Sequence, residues 1–195
     1  MRKFVLAALI LMSGAAFAAA PTAKPGDYKI DPHHTQILFG IRHMGLSTFY
    51  GRFGAVSGDL TFDPAAPEKS TLTATVDMTN IDTHVDELDK ELKSDVFHAD
   101  KFPTATFVVT GIAKTGDATG AVTGNLTLVG VTKPVTLTVT FNGGRNSPIP
   151  FERYRAGFDA TATIKRSDFG LDHAIWNGMV SDEVELRIEC EFEKQ

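Results

Sequence analysis

Between Val184 and Phe192 the chain alternates without a break. Val184, Leu186, Ile188, Cys190 and Phe192 fall on one parity; Glu185, Arg187, Glu189, Glu191 and Glu193 fall on the other. Only a period of two sorts such a run onto two faces, so the segment predicts a strand with one side in an apolar interior and the other in water. Cys190 sits on the apolar side and is expected to act as a small buried hydrophobe, not as a reactive thiol. It is the only cysteine in the chain, which excludes an internal disulfide and leaves stability to the core.

The same rhythm recurs upstream. Ile37, Phe39 and Ile41 share a phase, as do Val56, Leu60 and Phe62, and then Leu72, Ala74, Val76 and Met78. Ala105, Phe107 and Val109 follow, then Val122, Leu126 and Leu128, then Val135, Leu137, Val139 and Phe141. Phe158, Ala160, Ala162 and Ile164 close the series before the last strand. About eight strands are predicted, most of them separated by turn-rich sequence. One helix interrupts them: Asn80–Ser94 places Val85, Leu88 and Leu92 on one face and charges on the rest. Thr83 followed by Asp86 predicts a capping box, and the helix is expected as a lid or plug on the sheet.

Sequential strands joined by short turns favour a meander, and closing a meander removes its adhesive edges. The expected fold class is therefore all-β: an antiparallel eight-stranded barrel with one amphipathic helix, preferred over a sandwich. Small residues on the inward parity (Ala74, Ala105, Gly124, Ala160, Ala162) leave room for a ligand.

The first residues carry a different message. Arg2 and Lys3 precede the apolar run Phe4–Met12, and Ala16-Phe17-Ala18 has the small-x-small pattern of a cleavage site. The run is about half the length a membrane span requires. Residues 1–18 are read as a signal peptide, 19–26 as a flexible mature N-terminus and 27–195 as the barrel domain, with a periplasmic destination. Cutting after Ala18 leaves 177 of the 195 residues, an ample single domain, and loss of Arg2 and Lys3 takes the formal charge from −5 to about −7. Such an acidic chain without a basic run is expected to bind neither nucleic acid nor an anionic membrane surface, and without a later long apolar segment it is not expected to insert stably in a membrane.

Specific motifs narrow the reading. YKIDPHHTQILFGIRH (28–43), LKSDVFHADKFP (92–103), GNLTLVGVTKPVTLTVTF (124–141), GFDATATIKRSDFGL (157–171) and VSDEVEL (180–186) together resemble the YceI-like family of periplasmic polyisoprenoid-binding proteins. The helix departs from the usual family pattern, reading Glu87-Leu88-Asp89-Lys90-Glu91-Leu92, and Val96-Phe97 stands where two aromatics are common. The resemblance implies a lipocalin-like barrel whose tunnel holds a long isoprenoid lipid, of quinone-tail or polyprenyl type, for storage or transport. It implies no required cofactor and no catalytic group; the bound lipid or quinone is cargo. Other amphiphiles, such as fatty acids or amides, would suit the same tunnel, and a homodimer stays open.

Candidate ligand-binding residues are those of inward phase: Ile37, Phe39, Ile41, Leu60, Phe62, Val76, Phe107, Val109, Leu126, Leu137, Phe158 and Ile188. Trp176 is expected to cover an edge rather than rim the mouth. Gly51, Gly54 and Gly58 are expected to mark a bend in a coiled strand. Ser167 or Asp168 is expected to tie down a turn, and Gly130–Pro134 to connect two strands. Among the histidines, His33 and His43 share inward parity, while His34 points away. No metal site is expected, since neither an H-E-x-x-H nor paired cysteines occur. An enzymatic alternative would need His34, His43 and a nearby acid such as Asp31 to converge. Asp168-Phe169-Gly170 has no phosphate loop to accompany it, and no G-x-S-x-G elbow exists.

Overall fold

A computed structural model describes residues 21–149, 153–172 and 176–195; the signal-peptide reading of residues 1–18 lies outside them. Ten strands form one antiparallel sheet: β1 (Gly26–Ile30), β2 (Gln36–His43), β3 (Ser47–Phe53), β4 (Val56–Phe62), β5 (Thr71–Asp77), β6 (Thr104–Lys114), β7 (Thr119–Leu128), β8 (Val131–Asn146), β9 (Tyr154–Lys165) and β10 (Val180–Lys194). Eight of them close a barrel in the order β1-β4-β5-β6-β7-β8-β9-β10, with β10 returning to β1. The remaining two, β2 and β3, extend the sheet from β10.

The eight-stranded barrel matches the expectation, but one member is exchanged. The sequence phases counted β2 as a barrel strand and missed β1 and β3. A turn at Asp31–Thr35 divides the opening motif, and both halves pair with the long β10. Tyr28 and Ile30 of β1 meet Lys194 and Phe192, while Ile37 to Ile41 of β2 meet Ile188 to Val184. β1 therefore walls the half of the barrel near the chain termini (the termini end), and β2 with β3 walls the opposite half. There the edge of β3 is met by the chain leaving β5: Arg52 and Asp82 exchange backbone N–H···O bonds of 2.9 and 3.0 Å.

Local chemistry sets the turns and bends. The β7–β8 hairpin turns through Val129 (φ 50°) and Gly130 (φ 76°), the left-handed pair that matches strand twist. Gly130 leaves space for the ring of Phe102. Pro134 is the fourth residue of β8, near the strand start as expected, but the connection itself is shorter than Gly130–Pro134 because β8 begins at Val131. The proline is paired with β7 where β8 does not yet reach β9, so its missing N–H breaks no second ladder. Bulges at Thr110 and Asn142 shift the inward parity of β6 and β8.

The helix is shorter than predicted. Residues Asp86–Glu91 form α1, and Leu92–Val96 continue it as a π-helical turn. The predicted capping box does not form. The Thr83 backbone N–H and hydroxyl both donate to Asp89 (2.8 and 2.6 Å), which sits where its carboxylate reaches back over the first turn, and Val85 is the N-cap residue.

Two buried clusters occupy the two halves. At the termini end, Tyr28, Ile30, Val56, Leu60, Phe62, Ala156 and Phe192 pack together, with Phe62, Phe141, Phe158 and Phe192 in edge-on and tilted ring contacts 5.0–5.6 Å apart. At the other end, Met78, Ile81, Phe97 and Ala99 flank the helix and bury themselves with Phe39, Ala105, Leu128 and Phe169. We call this the lid end. Of the stretch read as the flexible N-terminus, Thr22 accepts a 2.8 Å bond from the Gly144 N–H.

Candidate functional site: an apolar tunnel

A cavity of about 400 Å³ runs through the barrel. The period-two strands produce it directly, because each sends alternate side chains inward. All twelve sequence candidates line it. Ile37, Phe39 and Ile41 come from β2; Leu60 and Phe62 from β4; Val76 from β5; Phe107 and Val109 from β6; Leu126 from β7; Leu137 from β8; Phe158 from β9; and Ile188 from β10. Their neighbours in phase, among them Leu72, Val122, Val139, Val184 and Leu186, complete the wall. Beyond the Thr110 bulge the lining switches to Ile112 and Lys114.

Some lining residues were not legible in the pattern. Phe49 and Phe53 enter from the missed β3 and Val96 from the end of the helix, whose Leu88 and Leu92, read as its apolar face, close over the tunnel while Val85 of that face is exposed. Trp176 lines the tunnel beside Leu171 and Val180 instead of covering an edge. Gly124, counted as making room, does not: the ring of Phe107 lies over it, as that of Phe39 lies over Gly51. Gly51 thus serves close packing, while Gly54 and Gly58 face backbone oxygens of Asn80 and Thr73.

Polar lining is sparse. Lys114, Asp117 and Thr119 stand at the termini end, where Ser70 is also exposed to the cavity. Thr35 and Cys190 face it midway, with the Thr35 hydroxyl 3.5 Å from the Cys190 sulfur. Burial pushes the Cys190 thiol up to about 11, so it stays protonated at physiological pH. At the lid end Arg166 reaches the lining, but its guanidinium is consumed by loop acceptors: Ser181 O at 3.1 Å, Leu171 O at 2.5 Å and Asn177 Oδ1 at 2.8 Å. Ser167 binds the Asp182 carboxylate through its N–H and hydroxyl (3.0 and 2.8 Å). The tie expected of this motif therefore runs to β10, and not to a local backbone group.

Among the described residues, the histidines do not converge on a catalytic arrangement. The Asp31–Thr35 turn breaks the parity that placed His33 inward, and His33 is exposed. His34 Nδ1 lies 2.6 Å from the Asp31 carboxylate. His43 ends β2 and is set apart by seven extended residues, about 23 Å of strand. Asp31, His34 and Glu191 do approach within 4.8 Å of one another. The Arg155 guanidinium already sits among them, donating to Asp31 and to Glu191 (3.1 Å), with its other arm on Glu193 at 2.9 Å, while His34 Nδ1 gives its proton to Asp31. A cation occupies the place an ion would take. Burial opposes ionisation of Asp31, but its bonds from His34, the His33 N–H and Arg155 prevail and hold its carboxyl below the usual range. None of these four residues lines the tunnel. Their arrangement stitches the β1–β2 turn to β9 and β10.

Comparison with known proteins agrees with this geometry. Residues 28–192 match the YceI-like domain. The chain is 43% identical to a UPF0312 protein of Pseudomonas paraeruginosa over 198 residues, covering 100% of both. The crystal structure of BcnA from Burkholderia cenocepacia superposes with a TM-score of 0.74 at 27% identity, covering 83% of this chain and 98% of that one. A polyisoprenoid-binding domain from Saccharophagus degradans shares the fold with a TM-score of 0.67 at 16% identity, over 88% of this chain and 100% of its own.

Proposed function

This chain belongs to the YceI-like domain family, and on that premise we propose that it is a periplasmic carrier or store for a long isoprenoid lipid. The observation that carries the reading is the tunnel: a through-going cavity lined almost wholly by aliphatic and aromatic side chains from every barrel strand except β1's outer residues and from the helix above. Burying hydrocarbon contributes about 0.8 kcal/mol per CH₂, hence roughly 3–4 kcal/mol per five-carbon isoprene unit. Association costs on the order of 4–15 kcal/mol. About three to five units suffice to outrun it, without any charged anchor.

The lining favours a weakly polar head of quinone type over a phosphorylated one. Arg166 is spent on loop acceptors, and Lys114 at the rim has Asp117 4.0 Å away. No basic pair converges inside the tunnel among the described residues. Catalysis has no comparable support: the acid–histidine cluster of Asp31, His34 and Glu191 lies outside the tunnel lining and is bound up with Arg155. The Saccharophagus domain's ligand class accords with this proposal.

Native mass spectrometry of the mature protein taken from its own periplasm, followed by organic extraction, tests the reading. A prenyl-chain lipid near one per protein is expected. Fatty acids or amides in its place would move the assignment to other amphiphiles. Protein that arrives empty, and stays empty when offered quinones and polyprenyl lipids, would overturn it.

A further inference from the structure

The lid end carries an apolar tip that neither core absorbs. Leu46 is 80% exposed, Met44 59% and Met179 44%. They belong together: the Met44 N–H donates to Met179 O at 2.6 Å, joining the β2–β3 hairpin to the loop before β10. The tip is stiff. Met44 and Gly45 take left-handed conformations, Leu46 N–H bonds His43 O at 2.9 Å, and Arg42 folds back onto Gly45 O (2.6 Å) and Thr48 (3.2 Å). Met44 N–H, Leu46 N–H and Gly45 O are thereby satisfied, while the apolar side chains stay exposed.

Two further facts select an occupant. The tip is continuous with the tunnel, for Met179 bonds Trp176 O at 3.0 Å and precedes Val180, and both Trp176 and Val180 are lining residues. Charge is also partitioned. The whole chain is net −5, yet residues 36–58 hold no carboxylate, and while Arg52 is paired with Asp82 at 2.7 Å, Arg42 stands at the tip itself. The overall acidity that argues against anionic surfaces does not describe this hairpin. Apolar side chains beside a basic group suit the headgroup–acyl boundary of a membrane.

We propose that the Met44–Leu46–Met179 tip docks the protein on a lipid bilayer and presents the tunnel mouth to it. That cargo passes there rests on the carrier reading; the docking does not. The test is flotation of the mature protein with vesicles of phosphatidylethanolamine and phosphatidylglycerol. Leu46→Glu is compared with Ile149→Glu, which adds the same charge at an exposed side chain of the termini end. Neither residue lines the tunnel. The expected result is about a tenfold loss of vesicle-bound protein for Leu46→Glu, the worth of one buried leucine, and no loss for Ile149→Glu. Both variants should retain extracted lipid as the parent does. Absence of parent binding to vesicles, or equal loss in the two variants, overturns the proposal even if lipid is retained. So does a dimer in light scattering that Leu46→Glu dissociates while neither protein floats, since the tip would then belong to a second copy. Failure of the carrier reading shows separately, as vesicle binding by a protein that retains no lipid.

Discussion

The two ends of the barrel bury comparable apolar groups by different means. At the termini end, β1, β4, β9 and β10 hold one another through ladder hydrogen bonds, and four phenylalanine rings interlock behind them. At the lid end, the covering segment is fully buried only where it leaves and rejoins the sheet; between those points Leu92 and Val96 pack against the core in part. Ile81 and Met78 are 1% and 2% exposed and Phe97 is 9%, whereas no residue of 86–96 is buried. His84 (φ 62°) and His98 (φ 46°) bracket this stretch in left-handed conformations that cost a non-glycine residue. One end is therefore built for permanence. The other is pinned at two points with a loosely held middle, and local opening is expected to begin there.

The largest effect should come from the permanent end. Phe192→Ala is expected to remove about 3–5 kcal/mol of stability, read by denaturant unfolding. An effect near 1 kcal/mol would mean that the aromatic cluster is no better packed than the lid. Next, Arg155→Met leaves Asp31 buried without its cation and should cost about 3 kcal/mol at neutral pH. Asp31 titrates lower in the folded chain than in the unfolded one, so its contribution is present above the ordinary carboxylate range and is lost as pH falls through its folded value. The stability gap between parent and Arg155→Met should accordingly narrow below about pH 4. At the lid, Leu92→Ala should cost about 1 kcal/mol or less while speeding lipid release several-fold, followed by fluorescence displacement. A loss as large as that of Phe192→Ala would erase the distinction between the ends. Smallest of all, His84→Gly should change stability by no more than about 0.5 kcal/mol, because relief of the left-handed backbone is offset by a freer unfolded chain.

The same contrast separates what could be read in the sequence from what could not. Parity in β4 to β10 placed the tunnel wall correctly, because each of those strands has one dry and one wet face. β1 and β3 escaped notice for opposite reasons. β1 is five residues long and joined to β2 by a turn that looks continuous in the motif, while Phe49, Tyr50 and Gly51 in β3 show no clean alternation. The capping box failed because Thr83 and Asp86 have the right spacing, but tertiary contact through Ile81 and Arg52–Asp82 starts the helix later and hands Thr83 to Asp89. The cluster around Arg155 joins residues from three distant stretches. Only assembled strands bring Asp31, Arg155 and Glu191 together, so no local spacing announces it.

The pairing of β1 with β10 reaches past the finished molecule to its synthesis. One edge of β1 pairs with β4, but on the other Tyr28 meets Lys194 and the Gln195 N–H bonds Asp27 O at 2.9 Å, so that edge finds its partner only in the last strand. Hairpins β4–β5 and β6–β7 can form as they emerge, but the ring cannot shut until β10 is in place. Until then the β10-facing edge of β1 and the growing edge of the sheet stay unpaired, open to other chains. A chain shortened by even its final strand segment would lack closure altogether, which makes the last residues a checkpoint for the whole barrel.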